Sequence, residues 1–268
     1  MGQEITMQSV DRVDDAKQDV SAHVFATAEP DEHVPDYELR QGETWASFNA
    51  MGDICPVEGG EQGLYHLGRR YLRRLELLVE QQRPVLLHSH LDENKTLFTA
   101  ALSNPDRYVR KRLIAPRGLL HIRRWMFLWQ NCCYTRLIIE NRSNAMWEGD
   151  CTLWFDTDFV YVADTSQAPR LEAGRRLPAV SRSNSVWLGR EDQQGARQQM
   201  RLDFIPTPLD SSSSTIWIVK QLQAAERATW DLAITCEPKE DAAPGPSFDE
   251  ALAAVRSAVD TGPPCDRG

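Results

Sequence analysis

From Thr44 onward apolar and polar positions alternate in short runs broken by turn residues. Trp45 and Phe48 flank a first strand, Met51-Gly52-Asp53 turns the chain, and Ile54 begins the return. Between Leu72 and Val79, Leu75, Leu77 and Val79 alternate with Arg74, Glu76 and Leu78, the period of two that marks a strand with one buried face. Gln81-Gln82 reverses the direction. Arg83 to Leu91 then returns, and Asn94 to Leu102 sets Thr96, Phe98, Ala100 and Leu102 on one side. This spacing predicts a meander of three strands, ended at Asn104-Pro105 because proline lacks an amide donor and restrains its predecessor.

The same rhythm continues over Leu119 to Trp129, a turn at Gln130-Asn131, and Cys133 to Glu140 with Cys133, Thr135, Leu137 and Ile139 on one face. After Asn141-Arg142-Ser143-Asn144, the alternation resumes at Trp147, Gly149, Cys151, Leu153 and Phe155. Later strands are expected at Val186–Gly189, Gln199–Ile205, Thr215–Leu222 and Ala228–Cys236. Many short strands with turns between them predict an all-β fold, a two-layer antiparallel β-sandwich. Few segments hold a helical period for three turns.

Ser247 to Asp260 is the exception. Phe248, Leu252, Val255 and Val259 make one apolar stripe, and Ser247 with Glu250 fits a capping box, so a single C-terminal helix is expected there, its stripe buried either on its own sandwich or on an absent neighbour. Gly262-Pro263-Pro264 stops it, and Pro238, Pro244, Gly245 and Pro246 stiffen the linker before it. The first 36 residues are acidic, poor in aromatics and broken by Pro30 and Pro35, a composition expected to stay disordered. The expected organisation is a tail over 1–36, a sandwich over 37–236, and a linker with helix over 237–268.

The net charge of −9 opposes general binding to nucleic acid or anionic lipid, whose phosphates carry the same sign. Arginines do cluster, at Arg69, Arg70, Arg73 and Arg74, at Arg107, Arg110, Arg112 and Arg117, and at Arg123 and Arg124 beside Trp125, Phe127 and Trp129. Strand alternation accounts for the last group, with arginine on the wet side and aromatic on the dry side. No signal peptide and no membrane span are expected, which predicts a cytoplasmic protein. Six cysteines lack paired zinc-type spacing and are read as buried thiols, with Cys132 and Cys133 on opposite faces of a strand.

Three groupings invite chemistry. Asp156 and Asp158, two apart on a strand, would share a face at ~6.5 Å, near the ~6.5–9.5 Å carboxyl separation of inverting glycosidases. They project in parallel, leaving no slot for a sugar between them, so acids that end a strand or pair with arginine are expected. His88 and His90 share a face without an evident third ligand, and no metal site or other cofactor is expected. Trp125, Trp129, Trp147, Trp154, Trp187, Trp217 and Trp230 lie in or beside strands; Trp147 and Trp154 point to opposite faces of an unbroken strand, so at least one is expected outside the core.

An ordered set of segments also resembles a known family. Gly63-Leu64-Tyr65-His66, Tyr71 to Leu77, Arg83-Pro84-Val85-Leu86-Leu87, Leu102 to Asp106, His121-Ile122-Arg123-Arg124, Phe127-Leu128-Trp129 and Phe155-Asp156-Thr157-Asp158-Phe159 resemble the N-terminal domain of bacterial glycogen debranching (amylo-α-1,6-glucosidase-type) proteins. The similarity spans roughly Tyr37 to Cys236. It implies a supersandwich-like β domain that precedes a barrel of paired helices, with the glycosidase carboxylates in the barrel and none in this chain. Departures occur at Leu67-Gly68-Arg69-Arg70 and Val160-Tyr161-Val162-Ala163. The expected partners are an α-glucan or a helical-barrel glycosidase domain, and the candidate carbohydrate contacts are His66, Arg70, Trp147, Trp154, Asp156 and Asp158. A free-standing α-glucan-binding module with no enzyme partner is the alternative.

Overall fold

Successive side chains on a strand point to opposite faces, so a period-two apolar pattern buries one face and wets the other. In a computed structural model, which describes residues 36–55, 60–161, 174–239 and 243–260, these runs form strands throughout. In chain order they begin β1 (Tyr37–Gln41), β2 (Thr44–Phe48), β3 (Gly63–His66), β4 (Arg69–Leu72), β5 (Arg74–Val79), β6 (Val85–Leu91) and β7 (Leu97–Ser103). There follow β8 (Arg107–Val109), β9 (Arg112–Ala115), β10 (Leu120–Trp129), β11 (Cys132–Asn141), β12 (Trp147–Asp156) and β13 (Val160–Tyr161). The rest are β14 (Gly174–Arg176), β15 (Val180–Arg182), β16 (Ser185–Asp192), β17 (Arg197–Ile205), β18 (Asp210–Ser211), β19 (Thr215–Leu222), β20 (Arg227–Cys236) and the helix α1 (Phe248–Asp260).

A nine-stranded antiparallel sheet runs β14-β16-β17-β20-β11-β10-β7-β6, with β15 also beside β16. Facing it are a five-stranded sheet, β1-β2-β3-β4-β13, and a four-stranded sheet, β18-β19-β12-β5. Only Arg73 separates β4 from β5. Its amide donates to the Asp156 carbonyl at 2.9 Å, and Ile54 exchanges two hydrogen bonds with Leu75, so the two smaller sheets join edge to edge. Ile122, Met126, Leu137 and Leu202 of the large sheet meet Phe48, Leu64, Leu77 and Leu153 of the smaller ones in one core. The expected two-layer antiparallel sandwich is the observed architecture.

Four local expectations are corrected. Leu72–Val79 does not join Arg83–Leu91 and Asn94–Leu102 in a meander: β5 pairs with β12 in the second layer, while β6 and β7 continue into β10 of the first. Nor does β5 have one wet face, since Glu76 and Leu78 are buried as well as Leu75, Leu77 and Val79. Asp156 and Asp158 do not share a strand, because β12 ends at Asp156 and Phe159 turns the chain with a positive φ of 56°. The wet-arginine rule fails at Arg124, which has the parity of Ile122 and Met126 and points into the core at 0% exposure.

The C-terminal helix forms where the capping pattern predicts. The Ser247 amide donates to Glu250 Oε2 at 2.8 Å, and the Glu250 amide donates back to Ser247 Oγ at 3.4 Å. Phe248, Ala251, Leu252 and Val255 pack on Phe127, Cys132 and Tyr134, covering the outer face of β10 and β11. Val259, the last member of the stripe, is exposed. Cys132 lies under the helix and Cys133 in the core between the sheets, the opposite faces expected of neighbours on a strand. Burial pushes both thiols up to about 12. Among the described residues no helix is long and apolar enough to cross a membrane. The tail expected over 1–36 lies, except for Asp36, outside the described residues.

Candidate functional site

The outer face of the four-stranded sheet gathers the polar and aromatic residues that alternation keeps from the core. On β12, Cys151, Leu153 and Phe155 point inward, so Thr152, Trp154 and Asp156 point out. Register decides their company. Across to β5, Asp156 stands opposite Arg74, Trp154 opposite Glu76 and Thr152 opposite Leu78. Across to β19, Thr152 is opposite Trp217 and Trp154 opposite Thr215, with Asp210 of β18 next to Trp217. Trp154 and Trp217, both half-buried, are therefore diagonal neighbours, a relation that spaces side chains by about 7–8 Å.

Glu76, opposite Trp154, and Thr152, opposite Trp217, are both buried. Glu76 is 5% exposed; Arg74 Nε approaches its Oε1 at 3.0 Å without hydrogen-bond alignment, and Arg83 Nη2 stands 3.8 Å from Oε2. Thr152 Oγ1 is buried and has no hydrogen-bond partner among the described residues. Cys55 sits beside the same carboxylate and accepts from Arg83 Nη2 at 2.8 Å; burial and the Glu76 carboxylate push its thiol up to about 11.

At the end of the face the acidic segment 156–158 is held by arginines. Asp156 accepts from Arg73 Nε at 2.6 Å, from Arg176 Nη2 at 2.9 Å and from the Thr157 amide at 2.9 Å. Asp158 takes both Nε and Nη2 of Arg70, the shorter contact 2.5 Å, while its carbonyl accepts from Arg190. Arg70 reaches this position by crossing Gly63, where a β-carbon would stand 2.6 Å from Arg70 Cδ. A β-carbon at 63 would have to displace the Arg70 or Tyr65 side chain.

Burial raises the Asp156 carboxyl, but Arg73, Arg176 and the Thr157 amide together outweigh it and hold the group below the ordinary carboxylate range. A carboxyl in that state has no proton to give a leaving oxygen near neutral pH. Such a group contributes stability above its unfolded pKa of about 3.9, and that contribution is lost as pH falls through the lower folded value. Asp156→Asn is expected to cost on the order of 1 kcal/mol at pH 7 and little at pH 2. Urea midpoints at the two pH values check this; an equal loss at both would remove the charge pairing as its cause.

Of the six residues proposed from sequence, the structure brings Trp154 and Asp156 onto one face and sets Asp158 with Arg70 at its end. His66 is elsewhere: its Nδ1 lies 2.9 Å from Thr44 Oγ1 on the face of the five-stranded sheet opposite to Arg70. Trp147 is 4% exposed and belongs to the core. Glu76 and Thr152 were not legible as site residues, since strand pairing alone places them beside the tryptophans. His88 and His90 lie exposed on β6, and among the described residues no three His, Cys, Asp or Glu are placed to hold a metal ion.

Fold and face together define an antiparallel β-sandwich domain, with two half-buried tryptophans on one outer face and Asp156 and Asp158 tied into ion pairs. The chain belongs to the family described as the N-terminal domain of (some) glycogen debranching enzymes, whose family model matches residues 39–240. No curated protein matches the sequence. Among solved structures the chain is similar to a protein described as a kojibiose phosphorylase from human microbiome, with 11% identity and a TM-score of 0.46 over 80% of this chain and 30% of that one. It is also similar to one described as an aldose 1-epimerase from Escherichia coli K12, with 8% identity and a TM-score of 0.41 over 76% and 99% of the two chains. A galactose mutarotase-like protein from Clostridium acetobutylicum has 7% identity and a TM-score of 0.34, over 73% and 93%. The chain thus spans about 30% of the length of the first of these structures.

Proposed function

We propose that this domain holds or orients an α-glucan for a helical-barrel glycosidase and does not itself cut the chain. The observation that carries the reading is the state of Asp156 and Asp158, each bonded to arginine guanidinium groups. Glycoside hydrolysis needs an acid on one side of the bond and a base or nucleophile on the other. Family membership supplies the glucan context. Trp154 and Trp217 provide the apolar surface on which the C–H face of a sugar rests, and the exposed Asp210 beside Trp217 offers an acceptor for hydroxyls.

Two results test the proposal. The purified chain mixed with branched dextrin is expected to release no glucose; turnover abolished by Asp156→Ala or Asp158→Ala would overturn the non-catalytic half. Calorimetry with maltooligosaccharides is expected to give binding that Trp217→Ala weakens about tenfold, a loss of about 1.4 kcal/mol, and that Trp217→Phe largely keeps. Absence of heat with every α-glucan would leave glucan orientation without support and remove it.

A further inference from the structure

β6 ends the nine-stranded sheet on the side away from β7, and one row of its backbone amides and carbonyls has no strand partner among the described residues. Such a row is a template for another strand, and natural edges commonly guard it with charge, proline or a bulge. The sequence Val85-Leu86-Leu87-His88-Ser89-His90-Leu91 has no Lys, Arg, Asp, Glu or Pro. It does have a bulge between Leu86 and His88, which lifts Leu87 out of the ladder. Leu87 is 56% exposed as a result, beside Leu86 at 36%. These leucines line an open groove of about 510 Å³ with Val85, Ser103, Arg117 and Gly118.

Charge is distributed unequally along this edge. At the Val85 end stands the β8–β9 hairpin, whose two strands pair only with each other. Its tip is Arg110-Lys111, both at positive φ (48° and 67°), a turn geometry that favours Asn-Gly. Arg112 and Arg117 add to the cationic group and outnumber Asp106, whose carboxylate accepts the Arg117 amide at 2.7 Å, in a chain whose net charge is −9. The Leu91 end leads instead into Asp92 and Glu93, which outnumber Lys95 of the same turn. Asp92 accepts from the Thr96 and Leu97 amides and stays below the ordinary carboxylate range, while Glu93 is exposed.

The geometry points to β6 as a homodimer interface, in which a second copy pairs antiparallel about a two-fold axis and joins two large sheets into one. Antiparallel pairing lays the Val85 end of each copy against the Leu91 end of the other. Arg117 and the hairpin of one copy then approach Asp92 and Glu93 of the second, and the contact repeats by symmetry. A parallel arrangement would set cations against cations. An isologous contact of this kind closes at two and builds no filament. The leucines of the groove supply the apolar contact that backbone pairing alone lacks.

Sedimentation equilibrium of the full chain tests the assignment, with a dimer of twice 30.5 kDa expected. Leu87→Lys, which places a charge on the edge, is expected to yield a monomer with an unchanged far-UV circular dichroism spectrum, because the side chain is exposed. Glu93→Lys and Arg117→Glu are each expected to weaken association about tenfold, and the two together to restore it. A monomer up to about 100 μM, weaker than the usual range of specific association, would overturn the proposal. So would a dimer indifferent to Leu87→Lys and Glu93→Lys, or an assembly that grows beyond two. None of these outcomes bears on glucan binding at the tryptophan face.

Discussion

Replacing Arg124 by alanine is expected to destabilise the domain by about 3–5 kcal/mol, the range for removing one partner of a buried ion pair. Arg124 is 0% exposed, and its Nη1 donates to Asp53 Oδ1 at 2.5 Å and to the Met51 carbonyl at 3.3 Å. Asp53 also accepts the Leu77 amide at 3.0 Å, so one carboxylate ties β10 of the large sheet to the loop after β2 and to β5. The loop closes tightly over the guanidinium. Gly52 sits at φ +81°, and a β-carbon there would stand 3.0 Å from Arg124 Cδ. Burial pushes the Asp53 carboxyl up, with Arg124 and the Leu77 amide opposing it, so without Arg124 the acid would be protonated or strand a charge in the core.

The measurement is the chemical-denaturation midpoint at unchanged slope, with a fall in Tm of roughly 6–20 °C at 2–4 °C per kcal/mol for a domain of this size. The double variant Arg124→Met with Asp53→Asn separates attraction from burial. Asparagine at 53 still accepts the Leu77 amide and methionine fills apolar space, so the pair should recover about 2 kcal/mol of the single loss. A cost below about 1 kcal/mol for Arg124→Ala would mean that water reaches the guanidinium.

Phe248→Ala is expected to cost about 3–5 kcal/mol if helix and sheets unfold together, the usual range for a buried phenylalanine. Its ring meets Phe127 edge-on at a centroid distance of 5.0 Å and lies under Arg136, whose guanidinium carbon is 4.0 Å from the ring centre. Arg136 in turn forks onto Asp231 and Asp249, binding the first turn of α1 to β11 and β20. Hydrogen exchange gives the decisive readout. Loss of protection in α1 alone, with β10 and β11 unchanged, would show that the helix docks as a separate unit; loss throughout would make it part of the cooperative core.

Strand positions were legible because period two is a local property of the chain. Leu120 to Trp129 and Trp147 to Asp156 became strands where alternation placed them, and Ser247 with Glu250 marked the helix start. The same parity sets Trp147 and Trp154 on opposite faces, and the structure makes Trp154 the outward one. Pairing was not legible. Nothing between Leu72 and Leu102 states that β5 crosses to the second layer while β6 and β7 stay in the first, since hydrogen-bonding capacity is the same for every strand. Arg124 follows the parity of Ile122 and Met126 against its residue type, because the acid that makes its burial tolerable lies 71 residues away at Asp53.

Local alternation and capping therefore account for the longer strands, the C-terminal helix and the family to which the segments between Leu39 and Glu240 conform. Which carboxylates are neutralised, which tryptophans share a face and where an edge is left open emerge with the packing of the layers. Local pattern depends on backbone geometry within a few residues. Charge pairing and strand register depend on contacts between residues far apart in the chain, and those exist only once the two layers have closed on each other.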